Sequence, residues 1–225
     1  CSFWRSDIEP NVVRMCESKS GFTDFNKPDV ELVIWQRSLS KDLHSWIKQA
    51  ITSAFPEFRL LISPRDTQLA LELAFDECGL RAGAVRGLFI RDICDLVEVF
   101  AETTFSDLVD VRLERIDGDA CWKFHRDSVR ARLLTTYLGP TTEWVRETYA
   151  DEALGKQKYF KGPLERLGLN DVAMFSGSSA GHKYGGVVHR SPPIAGTGEV
   201  RLLLCLNQET VVSPDLWVRE NHYSE

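Results

Sequence analysis

The chain has 225 residues, 43% of them hydrophobic and 27% charged, with a formal net charge of −6, a composition ordinary for a folded domain with one substantial core. That balance provides no basic footprint for nucleic acid, and no apolar run approaches the roughly 18 residues that span a bilayer. No signal peptide is visible, so the expectation is a soluble, cytoplasmic single domain over 1–225, with 1–105 a mainly helical supporting region and 106–210 a β-rich core.

Residues 1–28 are mixed and polar, punctuated by Gly21, Asn26 and Pro28, and read as an irregular lead-in. Val30 and Leu32 to Trp35 form a β-rich run that the polar Gln36, Arg37 and Ser38 end. From Ser40, a plausible N-cap, Leu43, Trp46, Ile47, Ala50, Ile51 and Ala54 recur at helical spacing until Pro56. A second helix is predicted from near Asp66 to Cys78, closed by Gly79. A third runs from near Leu88 to Ala101, with Phe89, Ile93, Leu96, Val97 and Phe100 on one face.

After Ser106 the period changes. Val109, Val111, Leu113 and Ile116 approximate alternation, and the turn signal Asp117-Gly118-Asp119 precedes Trp122-Lys123-Phe124-His125, which reads as a hairpin delivering His125. Further strands are expected at Arg132 to Leu138, Val172 to Phe175, Gly186 to His189 and Val200 to Leu206. Short strands between Gly, Pro and Ser signals suggest an α+β fold with a jelly-roll core and supporting N-terminal helices.

His125-Arg126-Asp127, with His189 and then Arg201 further on, carries the chemistry. Residues two apart in a strand share a face, so His125 and Asp127 can reach one ion while Arg126 faces away. Two imidazoles and one carboxylate on one face of a metal leave three positions open, the arrangement of non-haem Fe(II) sites that bind a co-substrate and O2 together. A late arginine suits the far carboxylate of a 2-oxo diacid, because its planar guanidinium grips carboxylates in paired hydrogen bonds. An isolated HxD tripeptide is weak evidence by itself, since a hydrogen-bonded surface pair reads the same way.

Over roughly residues 108–207 the chain resembles the Fe(II)- and 2-oxoglutarate-dependent oxygenases. The pieces occur in that superfamily's order: Val111 to Ile116, the Asp117-Gly118 turn, Trp122 to Asp127, Arg132 to Gly139, Thr142-Glu143-Trp144, Asp171 to Phe175, Val187-Val188-His189, Pro192-Pro193, Gly196, and Arg201 to Leu204. The resemblance implies a double-stranded β-helix in which His125, Asp127 and His189 hold Fe(II) and Arg201 binds the distal carboxylate of 2-oxoglutarate. Tyr137, or Thr135 on the same strand face, would add a hydrogen bond to that carboxylate; an ordinary core tyrosine is the competing reading. Arg132 and Arg190 are competing guanidinium donors. The implied reaction is O2-dependent hydroxylation with release of succinate and CO2. The whole chain, including Val33 to Arg37, is also similar to a family of uncharacterised bacterial proteins found in metal-homeostasis gene neighbourhoods, a resemblance that names no reaction.

The rival from another class is a non-catalytic protein holding Zn(II) on the same cupin-like scaffold, since the affinity order of divalent metals favours zinc over iron at such ligands. Arg201 discriminates, because a storage site has no use for a guanidinium beside the open face. A third reading makes the protein an interaction module. The substrate is expected to be a small molecule or a protein, with no nucleic-acid or membrane partner. Trp144, Tyr159, Phe160 and Tyr184 are candidates for a substrate surface, or packing residues. The polar stretch around His182 reads as a mobile lid or substrate loop. His44 and His222 are expected to be exposed. Six cysteines (1, 16, 78, 94, 121 and 205) form no CxxC pair and read as reduced, mostly buried thiols, Cys121 and Cys205 as small core residues. Cys1 reads as a trimmed start or as the lipidated first residue of a lipoprotein.

Overall fold

The computed structural model describes residues 12–52 and 55–219; Cys1, Ala54 and His222 lie outside them. Chain order is β1 (Val13–Cys16), β2 (Leu32–Trp35), α1 (Lys41–Ala50), β3 (Phe58–Ile62), α2 (Thr67–Glu77), α3 (Ala84–Thr104), β4 (Val109–Ile116), β5 (Ala131–Leu138), β6 (Glu143–Trp144), α4 (Ala150–Lys156), β7 (Glu165–Arg166), β8 (Val172–Ser176), β9 (His189–Arg190) and β10 (Arg201–Gln208). Among the described residues no helix is long and apolar enough to cross a membrane.

The fold is α+β, two facing sheets of a double-stranded β-helix with helices outside the larger one. That larger sheet has the order β1-β2-β8-β5-β10-β4-β3, and its pairs are antiparallel except β1 with β2. Alternation sorts its side chains. Val33, Leu133, Met174, Leu202, Leu204 and Leu206 face α1, α2 and α3 and share a core with Leu43, Ile47, Leu71, Phe89, Ile93 and Phe100. Ile34, Leu134, Phe175, Leu203 and Cys205 face the other way and pack against Trp144, Leu167 and Val187 of the smaller β7-β6-β9 layer. Behind that layer, Phe124, Val145 and Val188 pack on Ala150 and Ala153 of α4.

The helices form where the apolar stripes lie. Ser40 Oγ accepts from the backbone N–H of Leu43 at 3.2 Å and starts α1, which stops at Ala50 rather than continuing to Pro56. α2 ends before Gly79, whose φ is +71°. α3 is longer than its apolar stripe and ends on Phe105, a left-handed residue with φ +53°.

Two expectations give way. The segment read as an irregular lead-in contains β1, a four-residue edge strand whose parallel partner β2 fixes it only through non-local pairing. The hairpin from Val109 to His125 does not form, because β4 pairs with β10 and β3 instead. Asp119 Oδ1 accepts from Ile194 and Ala195 N–H at 2.8 and 2.7 Å, and Ser191 N–H donates to Cys121 O. The chain after β4 is thereby drawn across to the smaller sheet.

Phe105 is 87% exposed, so its ring contributes little to offset the left-handed backbone. Phe105→Gly is expected to stabilise the fold by about 1 kcal/mol, read as a rise in the urea midpoint without a change of slope.

Candidate metal centre

His125 and His189 exchange both backbone hydrogen bonds, N–H to O at 3.0 Å each way. This single bridge adds the HxD segment to the edge of the smaller sheet beside β9. It also sets the two rings 4.6 Å apart. Asp127, two residues on, turns back toward both: His189 Nε2 lies 3.4 Å from Oδ2 and His125 Nε2 3.8 Å from Oδ1. One ligand atom from each of the three falls within 4.8 Å of the others, so a single cation could be held among them.

The donor set fits such an ion. His125 Nδ1 donates to Lys123 O at 2.8 Å and His189 Nδ1 to Val187 O at 2.9 Å. A carbonyl only accepts, so in each ring the proton sits on Nδ1 and the Nε2 lone pair faces the site. Burial lowers the His189 pKa, and the neighbouring Asp127 opposes it only in part, which favours the neutral, ligating ring. Asp127 is 4% exposed and its Oδ2 has no hydrogen-bond partner. An orphaned buried carboxylate oxygen beside two imidazole Nε2 atoms is a donor set that suits a divalent cation.

Neighbouring side chains hold the three in place. The Phe175 ring packs 4.5 Å from that of His189. Arg132 Nη1 donates to Asp127 Oδ1, and its Nε to Asn207 Oδ1 at 2.8 Å. Arg132, read from sequence as a rival co-substrate donor, thus restrains Asp127; Asn207 carried no signal in the sequence, because its role depends on which strands become neighbours. Gly177 lets the next loop pass close to this segment. A Cβ there would stand 2.0 Å from Val129 O and 2.7 Å from Asp127 O.

Arg201 lies at the start of β10 on the chamber face, fully buried. Its Nε donates to Pro140 O at 2.6 Å, and Nη2 reaches Thr142 Oγ1 only at 3.5 Å. Nη1 has no partner, and among the described residues no carboxylate pairs with it. Burial pulls its pKa down to about 10, so it remains charged at neutral pH. A cation in that state is a receptor for an anion. Gly139, with φ +82°, brings the preceding turn against this strand, where a Cβ would meet Val200 O at 2.1 Å.

Tyr137 and Thr135 do not join the site. Both lie on the helix side of β5, where the Tyr137 ring packs 4.8 Å from Phe89 and its hydroxyl donates to Asp92 at 2.6 Å. The register shifts between Leu202 and Leu203, opposite Tyr137. Tyr137 alternates with Leu133 and Thr135 onto the helix-facing side, and the bulge brings Leu138 to that side as well. Burial, reinforced by Asp92, pushes its phenol well above the usual range, so it stays a neutral donor. Arg190 points out of the chamber onto Glu143 and the Phe124 ring, and Arg126 donates to Gly186 O and Glu147. Cys121 is exposed with φ +53°, not a core residue; Cys205 is buried, and the free Cys16, Cys78 and Cys94 are half-buried. The stretch around His182 is pinned rather than open. Glu31 accepts from Tyr184 and Gly186 N–H at 2.9 and 2.7 Å, and His182 Nδ1 donates to Pro28 O at 3.0 Å. His44 is half-buried, Tyr159 exposed and Phe160 packed beside Phe124. Trp144 faces inward, and with Leu167, Val13, Met15 and Ile34 it also walls a cavity of about 540 Å³.

A family model described as a protein of unknown function (DUF1826) matches residues 17–207. No curated protein matches the chain. Among solved structures, the dioxygenase for auxin oxidation 1 from Arabidopsis thaliana, in complex with 2-oxoglutarate, is similar at 12% identity and a TM-score of 0.50, over 93% of this chain and 98% of that one. A Pseudomonas putida prolyl-4-hydroxylase is similar at 10% identity and a TM-score of 0.43, over 85% and 99%. HygX from Streptomyces hygroscopicus, with iron bound, follows at 8% identity and a TM-score of 0.40, over 79% and 82%. At such identities the first likeness is one of fold.

Because the Tyr137 hydroxyl serves Asp92 and not the chamber, Tyr137→Phe is expected to cost about 1–2 kcal/mol of stability while leaving metal affinity unchanged. Urea unfolding and a metal titration of the same variant check both parts.

Proposed function

The chain belongs to that family, whose description names no reaction, and we propose that it is an Fe(II)- and 2-oxoglutarate-dependent oxygenase of the hydroxylase type. The observation that carries the reading is the pairing of two unmet needs on the side of the larger sheet that faces the smaller one: a His125-Asp127-His189 cluster with an orphaned carboxylate oxygen, and a buried Arg201 with an orphaned guanidinium nitrogen. When bound, Fe(II) with 2-oxoglutarate supplies an O2-dependent oxidation in which the 2-oxo acid becomes succinate and CO2 and one oxygen atom enters a substrate C–H bond.

The chain's own residues set the conditions for that chemistry. His125, Asp127 and His189 would hold the metal through their Nε2 and carboxylate atoms, a donor set that suits Fe(II) with a bound co-substrate. Arg132 occupies Asp127 Oδ1 and leaves Oδ2 for the metal. Arg201 binds and orients the distal carboxylate. Leu134, Phe175, Val187 and Leu203 line the chamber and exclude water, which strengthens each of these electrostatic contacts. His125, with a third of its side chain exposed, marks the open side of the cluster.

A zinc-holding protein would use the same three ligands and leave Arg201 as a buried charge without purpose. The two readings separate by experiment. Anaerobic Fe(II) followed by 2-oxoglutarate is expected to give a visible charge-transfer band that needs both additions, and O2 then to yield succinate. Tight zinc binding with neither band nor succinate would establish the rival. Asp127→Ala is expected to lose iron at equilibrium dialysis. Arg201→Ala is expected to keep iron but raise the 2-oxoglutarate requirement about 10- to 100-fold, the loss of a hydrogen bond to a charged group.

A further inference from the structure

Two donors that belong to chamber-facing residues are buried without acceptors, Arg201 Nη1 and Trp144 Nε1. Trp144 is 6% exposed and packs with Phe175, Val187 and Leu203. Its place in the smaller sheet lies between the two ends of the site. In register it stands directly opposite His189. Just before this strand is Thr142, whose Oγ1 is the partner of Arg201 Nη2 at 3.5 Å. Buried donors are almost always paired, and two orphans flanking one residue call for a common acceptor.

We infer that the indole N–H of Trp144 donates to the distal carboxylate of the bound 2-oxo diacid, beside Arg201 Nη1. The inference rests on the reading of this chamber as a 2-oxoglutarate site. Arg201 Nε is committed to Pro140 O, so the guanidinium meets the carboxylate with its Nη edge only. A carboxylate has about four lone-pair sites, more than that edge fills. An indole nitrogen can only donate, so Trp144 needs an acceptor that the described residues do not supply. The carboxylate is therefore read by one charged and one neutral donor, and Trp144 supplies the second contact that the far side of β5 does not. A 2-oxo monoacid would leave both donors unpaired, a stringent basis for rejection.

Trp144→Phe keeps a ring in the sheet and removes the N–H. In the full chain loaded anaerobically with Fe(II), the 2-oxoglutarate dissociation constant, read from the charge-transfer band, is expected to rise about tenfold or more with Fe(II) affinity unchanged. A second measurement does not depend on the variant's packing. In wild-type protein loaded with Zn(II) and labelled with 15N-tryptophan, the indole resonance missing from Trp144→Phe is expected to move when 2-oxoglutarate is added and to stay with 2-oxobutyrate. An unchanged dissociation constant, or an indole resonance that 2-oxoglutarate does not move, overturns the inference and leaves the proposed function standing. Wild-type protein that binds no 2-oxoglutarate overturns both.

Discussion

The site depends on one pair of backbone hydrogen bonds, the 3.0 Å exchange between His125 and His189. The HxD segment forms no extended strand of its own, so this bridge alone gives it an address in the smaller sheet. It fixes ring separation, the direction of both Nε2 atoms and, through the next two residues, the return of Asp127. The surrounding contacts serve the same end. Asp119 draws the segment across from the larger sheet, Gly177 allows the following loop to close on it, and Arg132 reaches from the opposite wall to hold the carboxylate. Metal ligands need placement to within about half an ångström, and here backbone supplies most of it.

Two buried arginines on opposite faces of the larger sheet make a useful contrast. Arg37 is saturated: Asp92 takes both its Nη groups, Asn170 O takes Nε at 2.9 Å, and its guanidinium lies 5.1 Å from the Trp35 ring. That is how a fold holds a charge it keeps for stability. Arg201, more deeply buried, has one firm acceptor. A buried charge with one firm acceptor is costly by itself, and the cost is intelligible where an anionic ligand offsets it on binding.

Much of this was legible before any coordinates. Strand β4 follows from alternation, β5, β8 and β10 from short β-rich runs between Gly, Pro and Ser signals, and α1 to α3 from apolar residues at helical spacing. Placing His125, Asp127, His189 and Arg201 in one chamber required only the order of motifs along the chain. The remainder was hidden for definite reasons. Which face of β5 meets the helices decides where Thr135 and Tyr137 go, and no local pattern announces it. Strands of two residues, such as β6, are too short for periodicity to register, so the sequence marks Trp144 only as an aromatic that lines a substrate surface or packs. Arg132 finds Asp127, and Asn207 finds Arg132, only after β5 and β10 pair. Contacts of that kind belong to topology.

The Glu31 clamp ties the rim of the chamber to the beginning of the chain. Its two hydrogen bonds join residues separated by 153 and 155 positions, and their closure entropy is met only once β2 has docked beside β8. Apart from these bonds the segment carrying Tyr184 and Gly186 is held by Arg126, which donates to Gly186 O. Any excursion that peels the β1-β2 edge from the sheet withdraws the Glu31 bonds from that segment, which links the outermost strands to a stretch of chain far from them in sequence.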